Sequence, residues 1–476
     1  MTMFRTAVFR LYLLGSALIV TCAQFGSSYY CDKTYPCDCK TLEQCKPIVA
    51  NKHRKEVIVL AKDKDVTSKT YLHWDWRNIT VVYTENFHDP ELMCHAHKQG
   101  ARYGLRYVLK NITAFYDTEF RENFTKGLIF QSHCTRNDAI NLDIDVPLAQ
   151  DSNDSRLLVS VLRDIRNGFD DMIGNFPVVG DGSTTKCQLS FSVPWMPYCF
   201  DDMCLPEAEM ADIVDLFIIK SDHIHGVHDW GGNCTAGAHA PFAQILYGYT
   251  MYMSVNMPVN QMVLSVPWYG YKYRCTYFDP KTNRCIVSPK PFHGVNCSYA
   301  TGERLSLAKI LAIKVQYNAS RLWHSGYRTP YFNYKNTTDG YMYQVWYEDE
   351  QSTWTKYAYS KEANFKGIAV WYGDSLEYNS SQKEIQNFTY HMWEAVDLVE
   401  AYKYESRACD EQLPGMVTGI AASMFLCGTL VGIGLGALLT KFDRKRKKTI
   451  AQEQGDTDVL TEMMETEHKT DATIRV

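Results

Sequence analysis

The segment 138–145, Asp-Ala-Ile-Asn-Leu-Asp-Ile-Asp, constrains the fold of this chain most strongly. Successive side chains of a β-strand point to opposite faces, so one face of this strand is aliphatic: Ile140, Leu142 and Ile144. The other face is polar: Asn141, Asp143 and Asp145. An apolar face against helices and a polar face turned inward are typical of a parallel β/α barrel. Because two neighbouring carboxylates resist joint ionisation, we expect one of them to stay protonated and available as a general acid.

The rest of the chain alternates short β-branched runs with longer amphipathic stretches, which predicts repeated βα units and a parallel sheet. Candidate strands lie at 79–83, 103–109, 139–146, 188–193, 216–220, 262–267 and 367–371. Polar or aromatic residues recur at their C-terminal ends, where βα barrels build their sites. The fold class is therefore α/β, a (β/α)8 TIM barrel over 57–394. A Tyr-, Lys-, Cys- and Asn-rich stretch at about 271–347 is predicted to be an inserted lobe.

Composition excludes one class of function. The chain has 476 residues, of which 46% are hydrophobic and 22% are charged, as in an ordinary globular protein. Its formal net charge is -5, which leaves no excess of cations to neutralise phosphates. Nucleic acid is not an expected partner.

Both ends of the chain carry apolar segments. Arg5 and Arg10 precede a short apolar run, which predicts a cleaved signal peptide at 1–23; a retained signal anchor is the alternative. The run 416–440 is long enough to cross a bilayer, and the cations that follow it favour a cytosolic tail at 441–476. With a stalk at 395–415, these features predict a type I membrane protein with one C-terminal transmembrane helix. Its ectodomain would be extracellular or lumenal, at the cell surface or in the endolysosomal system.

Cysteines and glycosylation motifs agree with a secretory route. Fourteen of the sixteen cysteines lie between the two apolar segments. The segment 24–56 is Cys-rich, and we expect disulfides rather than a metal there, with the pairing left open. Asn-x-Ser/Thr acceptors predict a glycoprotein; they are Asn78, Asn111, Asn123, Asn153, Asn233, Asn296, Asn318, Asn336, Asn379 and Asn387.

The octet at 138–145 resembles the signature of glycoside hydrolase family 18, Asp-Gly-x-Asp-x-Asp-x-Glu. Stretches along nearly the whole ectodomain resemble the chitobiase branch of that family, in which Asn also stands at the position of Asn141. They are Cys37-Asp-Cys39 before Cys45, Glu91-Leu-Met-Cys94-His-Ala-His-Lys-Gln-Gly100-Ala-Arg, Val266-Pro-Trp268-Tyr-Gly-Tyr271, Tyr331-Phe-Asn-Tyr-Lys335, Gln344-Val-Trp-Tyr347 and Gly367-Ile-Ala-Val-Trp371.

The resemblance implies substrate-assisted hydrolysis, in which the 2-acetamido oxygen of the sugar attacks its own anomeric carbon. Asp143 would steady the oxazolinium ion and Asp145 would protonate the leaving oxygen. The implied catalytic residues are Asp138, Asp143, Asp145 and Asp222. The candidates for sugar contact are Asn141, Trp195, Ser221, Trp268, Tyr269 and Trp371, with Trp371 as the floor of the sugar subsite. No cofactor and no metal are expected.

Three departures from the family pattern count against activity. The terminal Glu is Asp145, one methylene shorter, which leaves the acid about 1 Å short and can cost about 10²-fold in rate. Ala139 replaces Gly, a milder change. Ser221 replaces a Tyr whose hydroxyl helps to orient the acetamido group.

The segment 221–229 allows two other readings, because it also holds three histidines: His223, His225 and His228. These imidazoles could bind zinc, although His-rich loops are more often solvated surface. Ser221 beside a His and an Asp could suggest a hydrolase triad, but no nucleophile elbow surrounds it.

Two functions follow. The favoured one is a membrane-anchored, chitobiase-like protein that binds N-acetylglucosamine-containing glycans, either chitooligosaccharide or an N-glycan core, with hydrolysis weakened or lost. The alternative is an active exo-chitobiase-type glycosidase that uses Asp145 as its acid. Glycines repeat at every fourth residue of the run 416–440, which would suit a homodimer through that helix: Gly428, Gly432 and Gly436.

Overall fold

The computed structural model describes most of the chain between residues 37 and 397. Described are residues 37 and 39–397 except 52, 63–68, 86, 111, 145–151, 174–183, 186, 198–206, 222–223, 225–226, 231–232 and 292–295, together with 11–13 and 16–18. The chain divides into two units, 1–401 and 402–476, and the second lies wholly outside the described residues.

Eight parallel strands close into a barrel in sequence order. The strands are β1 Glu56–Ala61, β2 Val81–Glu85, β3 Arg102–Leu109, β4 Ala139–Ile144, β5 Gln188–Val193, β6 Leu216–Ile219, β7 Met262–Pro267 and β8 Gly367–Trp371. The α-helices are α1 Pro90–Lys98, α2 Thr118–Cys134, α3 Asn153–Ile173, α4 Glu207–Met210, α5 Phe242–Ser254, α6 Leu307–Gln316, α7 Glu350–Glu362 and α8 Lys383–Glu394. Short 3₁₀ helices lie at Leu42–Cys45, Thr70–His73, Thr113–Tyr116, Val259–Gln261, Tyr299–Thr301 and Gly373–Ser375. The predicted (β/α)8 barrel is confirmed.

Between β7 and β8 the chain builds an antiparallel lobe of five strands. In sheet order these strands are Glu303–Ser306, Tyr269–Arg274, Met342–Trp346, Thr329–Lys335 and Leu322–His324. A second sheet of four strands consists, in order, of Val227–Trp230, Asn233–Ala236, Arg284–Ile286 and Tyr277–Asp279. The disulfides Cys234–Cys297 and Cys275–Cys285 lie at this second sheet. The five strands of the lobe run from Tyr269 to Trp346, and the domain bounds expected from the sequence, including an insertion at about 271–347, stay a prediction.

Strand alternation divides the buried residues into two sets. The outward residues of β4, Ile140, Leu142 and Ile144, belong to the core between strands and helices. The inward residues of the other strands, such as Ile58 and Tyr83, fill the barrel. The polar inward side of β4 therefore faces the barrel interior, as the alternation predicts.

The Cys-rich segment is fastened to the barrel. Cys37 pairs with Cys45, and Cys39 pairs with Cys94 of α1. A two-residue strand, Ala50–Asn51, pairs with Thr184–Thr185. The expected disulfides are therefore present in this segment, whereas Cys187 is a buried free thiol.

The predicted type I membrane topology is corrected by the structure. A helix needs about 20 apolar residues to cross about 30 Å of hydrocarbon. Within the described ranges, none of the helices is both long enough and apolar enough to do so. The prediction rests on the stalk at 395–415, the apolar run 416–440 and the tail at 441–476. Everything beyond residue 397 lies outside the described residues, including Gly428, Gly432 and Gly436. Of the predicted signal peptide, only the paired strands Leu11–Leu13 and Ser16–Leu18 are described.

Candidate active site

Asp143 is the acidic centre of the polar face of β4. Its carboxylate is fully buried and is held by two cations, Lys220 and Arg106. The Lys220 Nζ donates to Oδ1 of Asp143 at 2.8 Å, and a guanidinium nitrogen of Arg106 donates to Oδ2. Lys220 directly follows β6 and Arg106 lies within β3, so the three residues converge inside the carboxyl end of the barrel.

Arg106 connects Asp143 to two further groups. Its Nη1 donates to Glu85 at the end of β2, at 2.5 Å. Its guanidinium also lies over the indole of Trp371, 4.8 Å from the ring centroid, in the geometry of a cation–π contact. Burial would lower the pKa of Arg106, but Asp143 and Glu85 outweigh this effect and raise it. Arg106 therefore stays charged above the ring.

The two cations decide the ionisation of Asp143. Burial alone would raise the pKa of this carboxyl group, but the charges of Lys220 and Arg106 outweigh burial and hold the pKa below its ordinary value. Asp143 is therefore ionised at neutral pH. The expected partner in proton sharing, Asp145, lies outside the described residues.

Asn141 lies one inward position below Asp143 on β4 and is fully buried. Its Nδ2 donates to Ser190 at 2.9 Å, and its Oδ1 accepts from Ser192 at 3.0 Å. Ser190 also contacts the Tyr83 hydroxyl at 3.1 Å. Because the amide is neutral and its two ends are satisfied, it adds no second negative charge beneath Asp143.

Asp138 lies at the opposite end of β4, outside the group around Asp143. Its carboxylate accepts hydrogen bonds from the backbone of Ile48 at 2.8 Å and of Tyr103 at 2.9 Å, and from His97 Nε2 at 2.8 Å. These contacts fasten the Cys-rich segment and α1 to the barrel. The structure therefore does not bring this predicted catalytic residue to the acidic centre.

Ala139, a departure from the family pattern, lies beside Gly104 of β3. Ala139 pairs with Gly104 in the register of β3 and β4. A Cβ on Gly104 would lie 2.4 Å from the Ala139 carbonyl oxygen, so this position requires glycine. The methyl of Ala139 is fully buried in the barrel interior.

The predicted sugar-contacting aromatic residues fall into two groups. Trp371 and Tyr269 belong to the buried set inside the barrel and lobe, where the guanidinium of Arg304 lies 3.6 Å from the Tyr269 ring centroid. Trp268 instead packs edge-on against Trp393 of α8, with ring centroids 4.9 Å apart, in the core between strands and helices. Trp195 also packs against that outer core. The structure thus places Trp371 and Tyr269 in the buried set inside the barrel and lobe. It places Trp268 and Trp195 at the core between strands and helices.

Ser221 is also turned away from Asp143. Its hydroxyl lies 3.2 Å from that of Tyr249, a residue of α5, and its amide donates to Ser265 at 3.1 Å. Alternation along β6 explains the position, because Ile219 belongs to the outer core and Lys220 contacts Asp143. Ser221 is therefore one residue out of phase with the inward face.

Most of the histidine-rich segment 221–229 and the predicted catalytic residue Asp222 fall in gaps of the described structure. Asp222, His223 and His225 lie outside the described residues, as does the side chain of His228. In the part of the chain that is described, the one cluster with metal-ligand spacing is Cys37, Cys39 and Cys45. All three of these sulfurs are in disulfides, which argues against a metal there.

Sequence reasoning missed the two cations that surround Asp143. A signal for them was available: Arg106 interrupts an apolar strand, and Lys220 ends another apolar run at a position with inward parity. A buried Lys or Arg is rare unless it is paired, so each position calls for an acidic partner. The partner itself depends on the barrel closure, which brings β3, β4 and β6 together.

The fold and this acidic strand define a (β/α)8-barrel protein with a charged site at the carboxyl ends of its strands. A family model described as glycosyl hydrolases family 18 matches residues 109–375. Di-N-acetylchitobiase of Mus musculus is 33% identical over 364 residues, which cover 76% of this chain and 92% of that protein. Di-N-acetylchitobiase of Homo sapiens is 32% identical over 366 residues, covering 76% and 88%.

Solved structures agree on the fold. A class V chitinase from Nicotiana tobaccum superposes with a TM-score of 0.57 at 14% identity, covering 72% of this chain and 99% of that one. A class V chitinase mutant from Cycas revoluta in complex with (GlcNAc)3 gives 0.56 at 16% identity, covering 71% and 99%. The chain therefore belongs to glycosyl hydrolase family 18 and is chitobiase-like.

Proposed function

We propose that this protein binds N-acetylglucosamine-containing glycans, chitooligosaccharide or an N-glycan core, at the carboxyl end of its barrel, with hydrolysis weakened or lost. The observation that carries the proposal is the pairing of Asp143 with Lys220 and Arg106. The family and the names of the chitobiase relatives support the ligand class.

The charges around Asp143 oppose the chemistry that the family would use. Substrate-assisted hydrolysis passes through a positively charged oxazolinium ion, which Asp143 would stabilise. Here Lys220 and Arg106 already compensate that carboxylate, and Glu85 balances only one of them. Asp143, Glu85, Lys220 and Arg106 together carry no net charge, so little of the negative charge of Asp143 is left to stabilise a developing cation.

The shortened acid, Asp145, is a second reason to expect weak hydrolysis. Asp145 directly follows β4, at the position of the family's Glu, and its side chain is one methylene shorter. A proton donor that stops about 1 Å short of its target can lose about 10²-fold in rate. Both effects act on the transition state, so they weaken turnover more than they weaken binding.

Aromatic residues support glycan binding in the same region. Trp371 ends β8, and Tyr372 and Tyr269 lie in the same buried set. A sugar ring that stacks on Trp371 would compete with Arg106 for the face of the indole. We therefore propose that Arg106 must move for a sugar to occupy that subsite, which favours modest affinity.

Calorimetry of the purified protein with chitooligosaccharides tests binding directly. Saturable binding that Trp371→Ala weakens at least about tenfold, and that Trp371→Phe partly restores, would support the proposal. Trp323→Ala is the matched control, since this indole lies on the edge strand of the lobe and packs with Arg321. Absence of binding by the folded protein would refute the glycan-binding role.

A further inference from the structure

Two disulfides of the Cys-rich segment lie side by side. Cys37 pairs with Cys45, and Cys39 pairs with Cys94 of α1. The sulfur atoms of Cys37, Cys39 and Cys45 all lie within 4.8 Å of one another, so the second disulfide directly neighbours the first. Among the described residues, this is the one group of three cysteine, histidine or carboxylate side chains gathered so closely. A thiolate released from the first disulfide would therefore have the second within reach.

The Cys37–Cys45 disulfide is open to solvent. The Cys45 sulfur lies 3.7 Å from the carbonyl oxygen of Thr41, and this contact is exposed. Cys37 and Cys45 are both half-buried, and Leu42, which lies between them in the chain, is 85% exposed. Access is one of the conditions for attack by a thiolate on a disulfide sulfur. A small thiol can therefore approach this bond without unfolding of the barrel.

Other contacts hold the segment on the barrel when the first disulfide opens. His97 Nδ1 lies 2.7 Å from the carbonyl oxygen of Gln44, which the Cys39 sulfur also approaches, at 3.8 Å in a partly buried contact. The amide of Ile48 donates to Asp138 at 2.8 Å. These contacts keep the cysteine sulfurs together, and groups held in this way react at an effective concentration in the millimolar range or above.

We propose that the Cys37–Cys45 disulfide is a modification site for small thiols of the glutathione class, and that it passes the exchange on to Cys39–Cys94. The incoming thiolate attacks the Cys37 sulfur, forms a mixed disulfide there and releases Cys45 as a thiolate. Cys45 then attacks the Cys39 sulfur, forms a Cys39–Cys45 disulfide and releases the Cys94 thiolate, which takes up the proton that the incoming thiol lost. Two protein disulfides and one thiol thus become one protein disulfide, one mixed disulfide and one new thiol, and no oxidant is needed.

The lengths of the two possible loops favour this direction of exchange. A Cys39–Cys45 disulfide closes a separation of 6 residues (45 minus 39), close to the 8 of the Cys37–Cys45 bond. Attack at Cys45 would instead release Cys37, and a Cys37–Cys39 disulfide has only one residue between its cysteines, which makes an unstrained geometry hard to reach. The exchange uses none of the residues around Asp143, so the inference is independent of the proposed glycan function.

Peptide mapping by mass spectrometry after brief exposure of the full-length protein to glutathione tests the proposal. Glutathione at about 0.1 mM stays below the effective concentration of the neighbouring sulfurs, so the internal step competes well with direct attack on the second disulfide. Alkylation at successive times traps the free thiols. The expected products carry glutathione on Cys37, the alkyl group on Cys94 and a new cross-link between Cys39 and Cys45.

Two variants make the result specific. Cys37→Ser/Cys45→Ser removes the entry point and is expected to slow the appearance of the Cys94 thiol at least about tenfold. Poor folding would open Cys39–Cys94 faster, so it cannot imitate this result.

Cys275→Ser/Cys285→Ser is the matched control, because it removes a disulfide of similar separation, 10 residues, in the lobe and should leave the Cys94 rate unchanged. Release of Cys94 at the wild-type rate in Cys37→Ser/Cys45→Ser, equal slowing in both variants, or a wild-type map without the Cys39–Cys45 cross-link would overturn the proposal.

Discussion

The Nζ atom of Lys220 lies 2.8 Å from Oδ1 of Asp143, although the strands that carry or precede these residues, β6 and β4, are not neighbours in the barrel. Lys220 therefore reaches past β5 to a carboxylate that Arg106 of β3 holds from the other side. The carboxylate of Asp143 thus connects residues of three strands inside the barrel, and two cations of the protein already compensate its negative charge.

Asp143→Asn is expected to destabilise the protein. The change leaves Lys220 and Arg106 with less compensation inside the barrel, and breaking a buried ion pair from one side typically costs about 3–5 kcal/mol. Chemical denaturation measures the loss. Glu384→Gln is the control, because it breaks an exposed ion pair with Lys314 and should cost less than about 1 kcal/mol. A gain in stability for Asp143→Asn would contradict a structural role for the pair.

The stabilising effect of Asp143 should depend on pH in one direction. Its folded-state pKa is lowered, chiefly because Lys220 and Arg106 outweigh the effect of burial. A carboxyl group with a depressed pKa stabilises the fold above its unfolded value, about 3.9, and loses that effect as the pH falls through the folded pKa. The stability difference between wild type and Asp143→Asn should therefore be constant near neutral pH and shrink in strong acid. A difference that grows with acidification would be inconsistent with the pairing.

His97 should show the opposite dependence. Burial would lower the pKa of His97, but the hydrogen bond and charge of Asp138 outweigh burial and raise it. A histidine with a raised folded pKa stabilises the fold fully below its unfolded value of about 6.5, and this contribution disappears as the pH rises through the folded pKa. His97→Gln should thus cost more stability at pH ~5 than at pH ~9. Equal pH profiles for His97→Gln and for the same substitution at the exposed His53 would argue against the His97–Asp138 pair.

Removing the Cys39–Cys94 disulfide should cost more than removing Cys275–Cys285. The first closes a sequence separation of 55 residues and the second one of 10. In the chain-entropy description the longer loop contributes about 1.5 kcal/mol more. Paired Cys→Ser variants and denaturation under non-reducing conditions measure both losses. The reverse order would show that local packing outweighs the loop effect.

The sequence allowed much of the fold to be predicted, because alternation along 138–145 and the βα rhythm both have a direct geometric meaning. The inward position of Asp143 and the outward positions of Ile140 and Leu142 followed from that alternation. Ser221 and Trp268 were named from the family resemblance alone. Alternation turns both outward, because Ser221 shares the parity of Ile219 and Trp268 shares that of Val266.

The charge environment was the least predictable part of the site. Lys220 and Arg106 lie 114 positions apart in the chain (220 minus 106), and only barrel closure brings both to Asp143. The sequence predicted a carboxylate kept protonated by a like charge, whereas the described neighbours of Asp143 are cationic. That reversal changes the inferred chemistry from acid catalysis toward a compensated, structural carboxylate.

Turnover of a chromogenic chitobioside, measured at acidic and neutral pH, tests the central claim most directly. The account predicts that wild-type turnover is weak or absent, and that the double variant Lys220→Ser/Asp145→Glu gains activity over wild type because it removes one cation and restores the length of the acid. Asp145→Asn is the matched control and should show no activity above wild type. Wild-type turnover that exceeds that of the double variant and that Asp145→Asn abolishes would contradict the account and identify an active glycosidase.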